Sequence, residues 1–156
     1  MNRIREDVHI HAAPAAIFGW LDFERVTAWL PDSFRDARIE DDALAFRLVL
    51  PLHDRPAQLC IEELQPPQIL SLRAGASNGT HPAVEALDWA LHQESANNVH
   101  VTAELAYRPA GGLLGPLLET ALHAPLRRQA LRDALWRLKL LAEGQVAGPG
   151  ALHRST

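Results

Sequence analysis

Leu117-Leu118-Glu119-Thr120-Ala121-Leu122-His123-Ala124-Pro125-Leu126-Arg127-Arg128-Gln129-Ala130-Leu131-Arg132-Asp133-Ala134-Leu135-Trp136-Arg137-Leu138-Lys139-Leu140-Leu141-Ala142 is the stretch that decides the fold. Apolar or small residues recur at Leu117, Ala121, Ala124, Leu131, Leu135, Leu138 and Ala142, steps of three and four that make one helix face. Arg127, Arg128, Arg132, Asp133, Arg137 and Lys139 mostly take the solvated side. Pro125 lies inside the pattern and is expected to kink or divide the helix. Gly144 follows the last periodic residue and ends it. Nothing else in the chain is both long and amphipathic.

Upstream of Pro109-Ala110-Gly111-Gly112 the period is two. Ile4, Val8 and Ile10 alternate with Arg5, Asp7, His9 and His11, a half-buried strand over 3–11. Pro14 opens a short helix over 14–21, with Ile17, Phe18 and Leu21 on its apolar side. Asp22 caps a second over 24–30, which stops before Pro31. Strands follow over 34–40, 43–50, 57–64 and 69–74, with Leu44, Phe46, Leu48 and Leu50 inward and Arg47 outward. Asn78-Gly79 is a tight-turn signal in a Gly/Ser/Asn loop. Strands over 84–93 and 99–108 form a hairpin across 94–98.

Short connections require an antiparallel sheet. Each strand has one apolar face, so one face needs cover, and only the C-terminal helix supplies it. The expectation is a single α+β helix-grip domain over 1–143: a curved antiparallel sheet of about seven strands around the long helix, with two short helices after strand 1. Residues 144–156 are expected to form a flexible tail.

Composition narrows the function. The chain has 156 residues, enough to bury a core, and a net charge of −4, which argues against a nucleic-acid binder. Cys60 is the single cysteine, so no internal disulfide framework or multi-cysteine metal site exists. Cys60 reads as an inert strand thiol. Arginine fills fourteen of the fifteen basic positions, as in GC-rich bacterial genomes. No apolar run reaches a membrane span, and the first residues lack an apolar signal core, so a cytoplasmic protein is expected.

The sequence resembles the SRPBCC (START/Bet v 1-like) superfamily, and within it the bacterial polyketide cyclase/dehydrase-like proteins. The resemblance is carried by Val8-His9-Ile10-His11-Ala12-Ala13-Pro14-Ala15-Ala16-Ile17-Phe18-Gly19-Trp20-Leu21 and by Trp29-Leu30-Pro31. Trp89-Ala90-Leu91, Val99-His100-Val101-Thr102 and Tyr107-Arg108-Pro109-Ala110-Gly111-Gly112 continue it, followed by Leu135-Trp136-Arg137-Leu138-Lys139 and Glu143. Asn98-Val99 stands where the family usually has Gly-Thr. The resemblance implies the fold and a small hydrophobic ligand such as a lipid, polyketide or aromatic metabolite. It implies no shared catalytic motif, no cofactor and no particular reaction. A cyclase/dehydratase-type enzyme and an interaction domain like the activators of chaperone ATPases are the alternatives.

A wide curved sheet gripped by one helix leaves space for such a ligand. By alternation Phe46, Leu48, Leu87, Trp89, Leu91, Val101 and Ala103 face it from the sheet. Leu117, Ala121 and Ala124 face it from the helix, where small side chains leave volume. Glu85 shares the parity of Leu87 and Trp89. It reads either as a polar anchor or general acid, or as a strand-start residue in water; Glu6 has the same two readings. Trp29 reads as a plug closing one end of the sheet. His9, His11, His92 and His100 fall on one outer face, which suggests zinc or copper. That face is convex, and no carboxylate at ligand spacing is evident, so no metal is expected. The 75–79 segment lacks the ending of a phosphate loop, and Asn78-Gly79-Thr80 is a sequon that a cytoplasmic protein would not use. The apolar 111–118 segment, followed by arginines, reads as a helix start, as a gate over the cavity, or as a surface making transient membrane contact.

Overall fold

The computed structural model describes residues 1–53, 55–75 and 82–144. The Asn78-Gly79 turn, the sequon and most of the expected tail lie outside these residues.

Seven antiparallel strands form one sheet: β1 (Asn2–Ile10), β2 (Phe34–Glu40), β3 (Ala43–Leu48), β4 (Pro56–Gln65), β5 (Ile69–Ala74), β6 (Val84–Ser95) and β7 (Asn98–Tyr107). Their spatial order is β1-β7-β6-β5-β4-β3-β2, so the first two strands of the chain form opposite edges. α1 (Pro14–Phe18), a 3₁₀ turn (Gly19–Leu21) and α2 (Phe23–Trp29) carry the chain between those edges. The C-terminal helix runs as α3 (Gly115–Leu118), a π-helical turn (Glu119–His123) and α4 (Ala124–Ala142). This is the α+β helix-grip architecture expected from the periodicities.

Local chemistry sets the boundaries. Asp22 accepts a hydrogen bond from the Glu24 amide at 3.1 Å, capping α2. Asp41 and Asp42 both take positive φ, the geometry of a two-residue turn that matches strand twist between β2 and β3. Gly144 ends α4 at φ 73°.

The core lies between the concave face of the sheet and α4. Ile4, Ile10, Phe46, Leu87, Trp89, Val101 and Leu105 meet Ala130, Leu131, Ala134, Leu135 and Leu138, all buried. Trp29 is buried too; its ring meets Trp89 edge-on at 6.0 Å, and its Nε1 donates to the Trp20 carbonyl at 2.8 Å. Glu6 sits half-buried on the same side, paired with Arg128 at 3.2 Å and Arg132 at 3.0 Å, which ties β1 to α4. Cys60 is exposed on β4.

One expectation about the helix fails. Leu117 is 67% exposed and Ala121 is exposed, while Arg127 is 1% exposed. The cause is the π-helical turn. Pro125 has no N–H to donate to the residue four back, and the backbone widens just before it. The widened turn adds one residue to the winding, a rotation of roughly 100°. Residues before it leave the phase set by Leu131, Leu135 and Leu138, and Gly115, Glu119 and His123 turn inward instead, in line with Arg127, which lies after the turn and one step of four before Leu131.

Candidate functional site

Antiparallel connectivity brings the β3–β4, β5–β6 and β7–α3 connections to one end of the sheet. At this end β7 closes its inward row Val99, Val101, Ala103, Leu105 with Tyr107. Four residues at steps of four, Gly115, Glu119, His123 and Arg127, form the facing row of the helix. Gly115 is required there: a Cβ would lie 2.3 Å from the Ala110 carbonyl oxygen.

The polar side chains of these two rows are joined. Tyr107 Oη donates to Glu119 Oε1 at 2.8 Å. Arg127 donates from one terminal nitrogen to Glu119 Oε1 at 2.6 Å and to Oε2 at 2.7 Å. Its guanidinium carbon lies 3.7 Å from the centre of the Tyr107 ring. His123 Nε2 donates to the Pro51 carbonyl at 2.7 Å, since a carbonyl can only accept. Its Nδ1 stands 3.8 Å from Glu119 Oε2. His53, from the β3–β4 connection, stacks against His123 with ring centres 5.7 Å apart.

Burial governs the electrostatics. It raises the Tyr107 pKa, helped by the hydrogen bond to Glu119 and that carboxylate's charge, so the phenol keeps its proton. Burial and the nearby Arg127 charge lower the His53 pKa, holding that imidazole neutral. Arg127 Nε, His123 Nδ1 and His53 Nε2 are buried without a hydrogen-bond partner among the described residues. The cluster therefore offers one unused donor and two unused imidazole nitrogens, chemistry suited to an oxygen atom of a ligand. Beside it Leu52 is 91% exposed and held at φ 59°, an uncommon conformation for leucine.

Phe46, Leu48, Leu87, Trp89, Leu91, Val101 and Ala103 are all buried in the core cluster. Leu117 and Ala121 point away, and Ala124 is half-buried. Glu85 is off the inward row: the register shifts between Val84 and Ala86, Val84 takes the place opposite Tyr107, and Glu85 pairs with Arg108. Glu119, His123 and Arg127 are buried polar groups facing the interior; the sequence put Arg127 on the solvated side and singled out neither of the other two. In a straight α-helix Glu119 falls roughly 120° from Leu131. The available signal was Glu-x₃-His-x₃-Arg, a polar stripe at a constant step of four that spans Pro125.

On the outer face, His9, His100 and His92 stand side by side across β1, β7 and β6. His11 lies beyond the end of β1. Contrary to the expectation that no carboxylate joins these rings, Glu94 Oε1 is 3.3 Å from His9 Nε2.

No family model matches the sequence, and no curated protein matches it. Solved structures do. The KanY protein is 17% identical with a TM-score of 0.70, over 92% of this chain and 100% of that one. The Zhui aromatase/cyclase from Streptomyces sp. R1128 is 15% identical with a TM-score of 0.64, over 97% and 99%. The Aha1 dimer from Colwellia psychrerythraea gives 14% and 0.58, over 92% and 97%. At such identities the likeness is one of fold, and it is the fold that the SRPBCC resemblance implied. Among the described residues, no helix is long and apolar enough to cross a membrane.

Proposed function

We propose that this chain binds a small hydrophobic ligand carrying an oxygen function, between the sheet and the N-terminal part of the C-terminal helix. The apolar body packs on the row that includes Phe46, Leu87 and Trp89, and the oxygen meets Arg127, His123 and His53. The observation that carries this reading is the buried Glu119–Arg127–Tyr107 cluster with its unused polar atoms. Buried charges and unpaired polar atoms cost stability that an apolar packing would not. Their concentration at one end of an apolar interior is the pattern of a binding site. Entry is at that same end, where Leu52, Leu113, Leu114 and Leu117 are exposed and form an apolar rim suited to brief membrane contact.

A second reading is an acid–base enzyme of the cyclase/dehydratase kind. It is favoured by one observation, a neutral phenol and a free imidazole nitrogen flanking a single carboxylate. The aromatase/cyclase among the similar folds is consistent with it.

Native mass spectrometry of the purified chain, followed by solvent extraction, tests binding. One copurified small molecule per chain is expected, or saturable uptake of an anionic naphthalene dye that Arg127→Met weakens. A chain that retains nothing and takes up neither anionic nor neutral dye rules the reading out. Conversion of an extracted ligand on incubation separates the enzyme from the binder.

A further inference from the structure

We propose that His9, His100 and Glu94 form a binding site for one divalent zinc or copper ion, on the outer face of the sheet at the end away from the Tyr107 cluster. One ligand atom from each residue lies within 4.8 Å of the other two. The separation of His9 Nε2 and Glu94 Oε1, 3.3 Å, is already that of two donors on one ion. Tetrahedral zinc with bonds of about 2.1 Å sets neighbouring donors roughly 3.4 Å apart. The His9 and His100 rings are stacked, centres 4.6 Å apart and planes 20° from parallel, so one of them turns about its side-chain bonds to bring both in-plane lone pairs onto one ion. Cross-strand register fixes this spacing, because His9 faces His100 directly across β1 and β7.

The supporting contacts belong to a built site. Asn98 Nδ2 donates to Glu94 Oε2 at 3.1 Å, leaving Oε1 turned toward His9. Lys139 Nζ donates to the His9 carbonyl at 2.8 Å, fastening that residue's backbone to α4. His100 Nε2 bonds Asp7 Oδ2 at 2.6 Å. An ion bound through Nε2 replaces that hydrogen bond, leaves the ring proton on Nδ1, and keeps the Asp7 charge beside it. The Asn98 and Lys139 contacts hold their partners in place, whereas Asp7 must yield the nitrogen that the ion takes. Two imidazoles and one carboxylate suit zinc and copper over magnesium or calcium, which prefer oxygen donors alone. Three protein ligands leave a coordination position open. His100 and its neighbour His92 also line an open cleft of about 640 Å³ that runs between Arg5, Pro14 and Gln68.

Isothermal titration of the full chain without a histidine tag, using zinc chloride alone, tests the site. One ion per chain is expected. His9→Ala, His100→Ala and Glu94→Gln should each weaken binding on the order of tenfold or more, while His11→Ala leaves it unchanged. With copper(II), electron paramagnetic resonance should show nitrogen splitting from the imidazoles that loses one nitrogen in His9→Ala. These side chains are at the surface, so thermal melts of the variants should match the parent and a failure to fold will not imitate loss of binding. The proposal is overturned if zinc binding does not saturate below millimolar concentration, if all three variants bind as the parent does, or if His11→Ala abolishes binding. Each outcome is independent of the dye experiment, which reads the opposite end of the sheet.

Discussion

Arg127 covers the ring of Tyr107 with its guanidinium at 3.7 Å while the same group holds both oxygens of Glu119. A cation on an aromatic face and a carboxylate at its edge thus share one side chain, 1% exposed. Arg127 is the member of the cluster on which the other two depend.

Arg127→Met should leave Glu119 buried without its charge partner and cost about 3–5 kcal/mol. Arg127→Met combined with Glu119→Leu should recover most of that loss, because both charges are then gone. Urea midpoints at unchanged m-value measure it. A single variant as stable as the parent would show that the pair is not buried in solution.

The raised Tyr107 pKa has a defined pH signature. The unfolded phenol, near its ordinary value of 10.0, loses its proton first, so the native state holds more protons as pH rises. The Tyr107 contribution is complete below that value and disappears as pH climbs through the higher folded pKa. Stability should therefore fall on the alkaline side, and Tyr107→Phe should flatten that decline. An equal decline in the variant removes Tyr107 as its source.

His53 works in the opposite direction. Its folded pKa lies below the unfolded 6.5, so its contribution is present above that pH and is lost as acid protonates the ring. His53→Asn should reduce the slope of stability against pH below 6.5. Denaturation at stepped pH values reads the difference, and an unchanged slope counts against the assignment.

Leu135 and Leu138 anchor the helix, and truncating either to alanine should cost about 2–5 kcal/mol. Ala121→Phe, on the exposed side of the π-helical turn, should change stability by only about 0.5 kcal/mol either way. Thermal melts distinguish the two classes, and a strongly destabilised Ala121→Phe would place that residue inside.

Gly115→Ala should disturb the start of the helix, because the added carbon meets the Ala110 backbone and not a movable side chain. A lowered melting temperature with slower or weaker dye uptake is expected. Wild-type behaviour on both counts would mean that the 110–115 segment yields freely.

The sheet was legible because its pattern is binary. Leu44, Phe46, Leu48 and Leu50 alternate with outward neighbours, and every inward position is buried. The pairing of His92 with His100 also follows from folding the hairpin about Ala96. The helix was legible only after Pro125. Before it, phase depends on whether the backbone keeps α winding, and hydrophobic spacing does not encode a π-helical turn. Leu117 and Ala121 fitted the straight helix and are outside; Glu119 and His123 did not fit and are inside. Glu94 was missed because the register shift between Gln93 and Ser95 sets its direction. Bulges of one residue leave little trace in composition.

β1 is made first and its sheet partner last. Its register runs from Asn2 opposite Tyr107 to Ile10 opposite Val99. A chain emerging from the ribosome can zip β2 through β7 turn by turn, each strand pairing with the one just made. The first strand has no hydrogen-bonding neighbour until nearly the whole sheet exists. Pairings so distant along the chain are the slow ones, since the loop they close must be ordered before they form. Until then β7 has an open edge, and a strand from another copy can occupy it. Docking of β1 onto β7 should therefore be the slow step of folding and the one most sensitive to a second copy nearby.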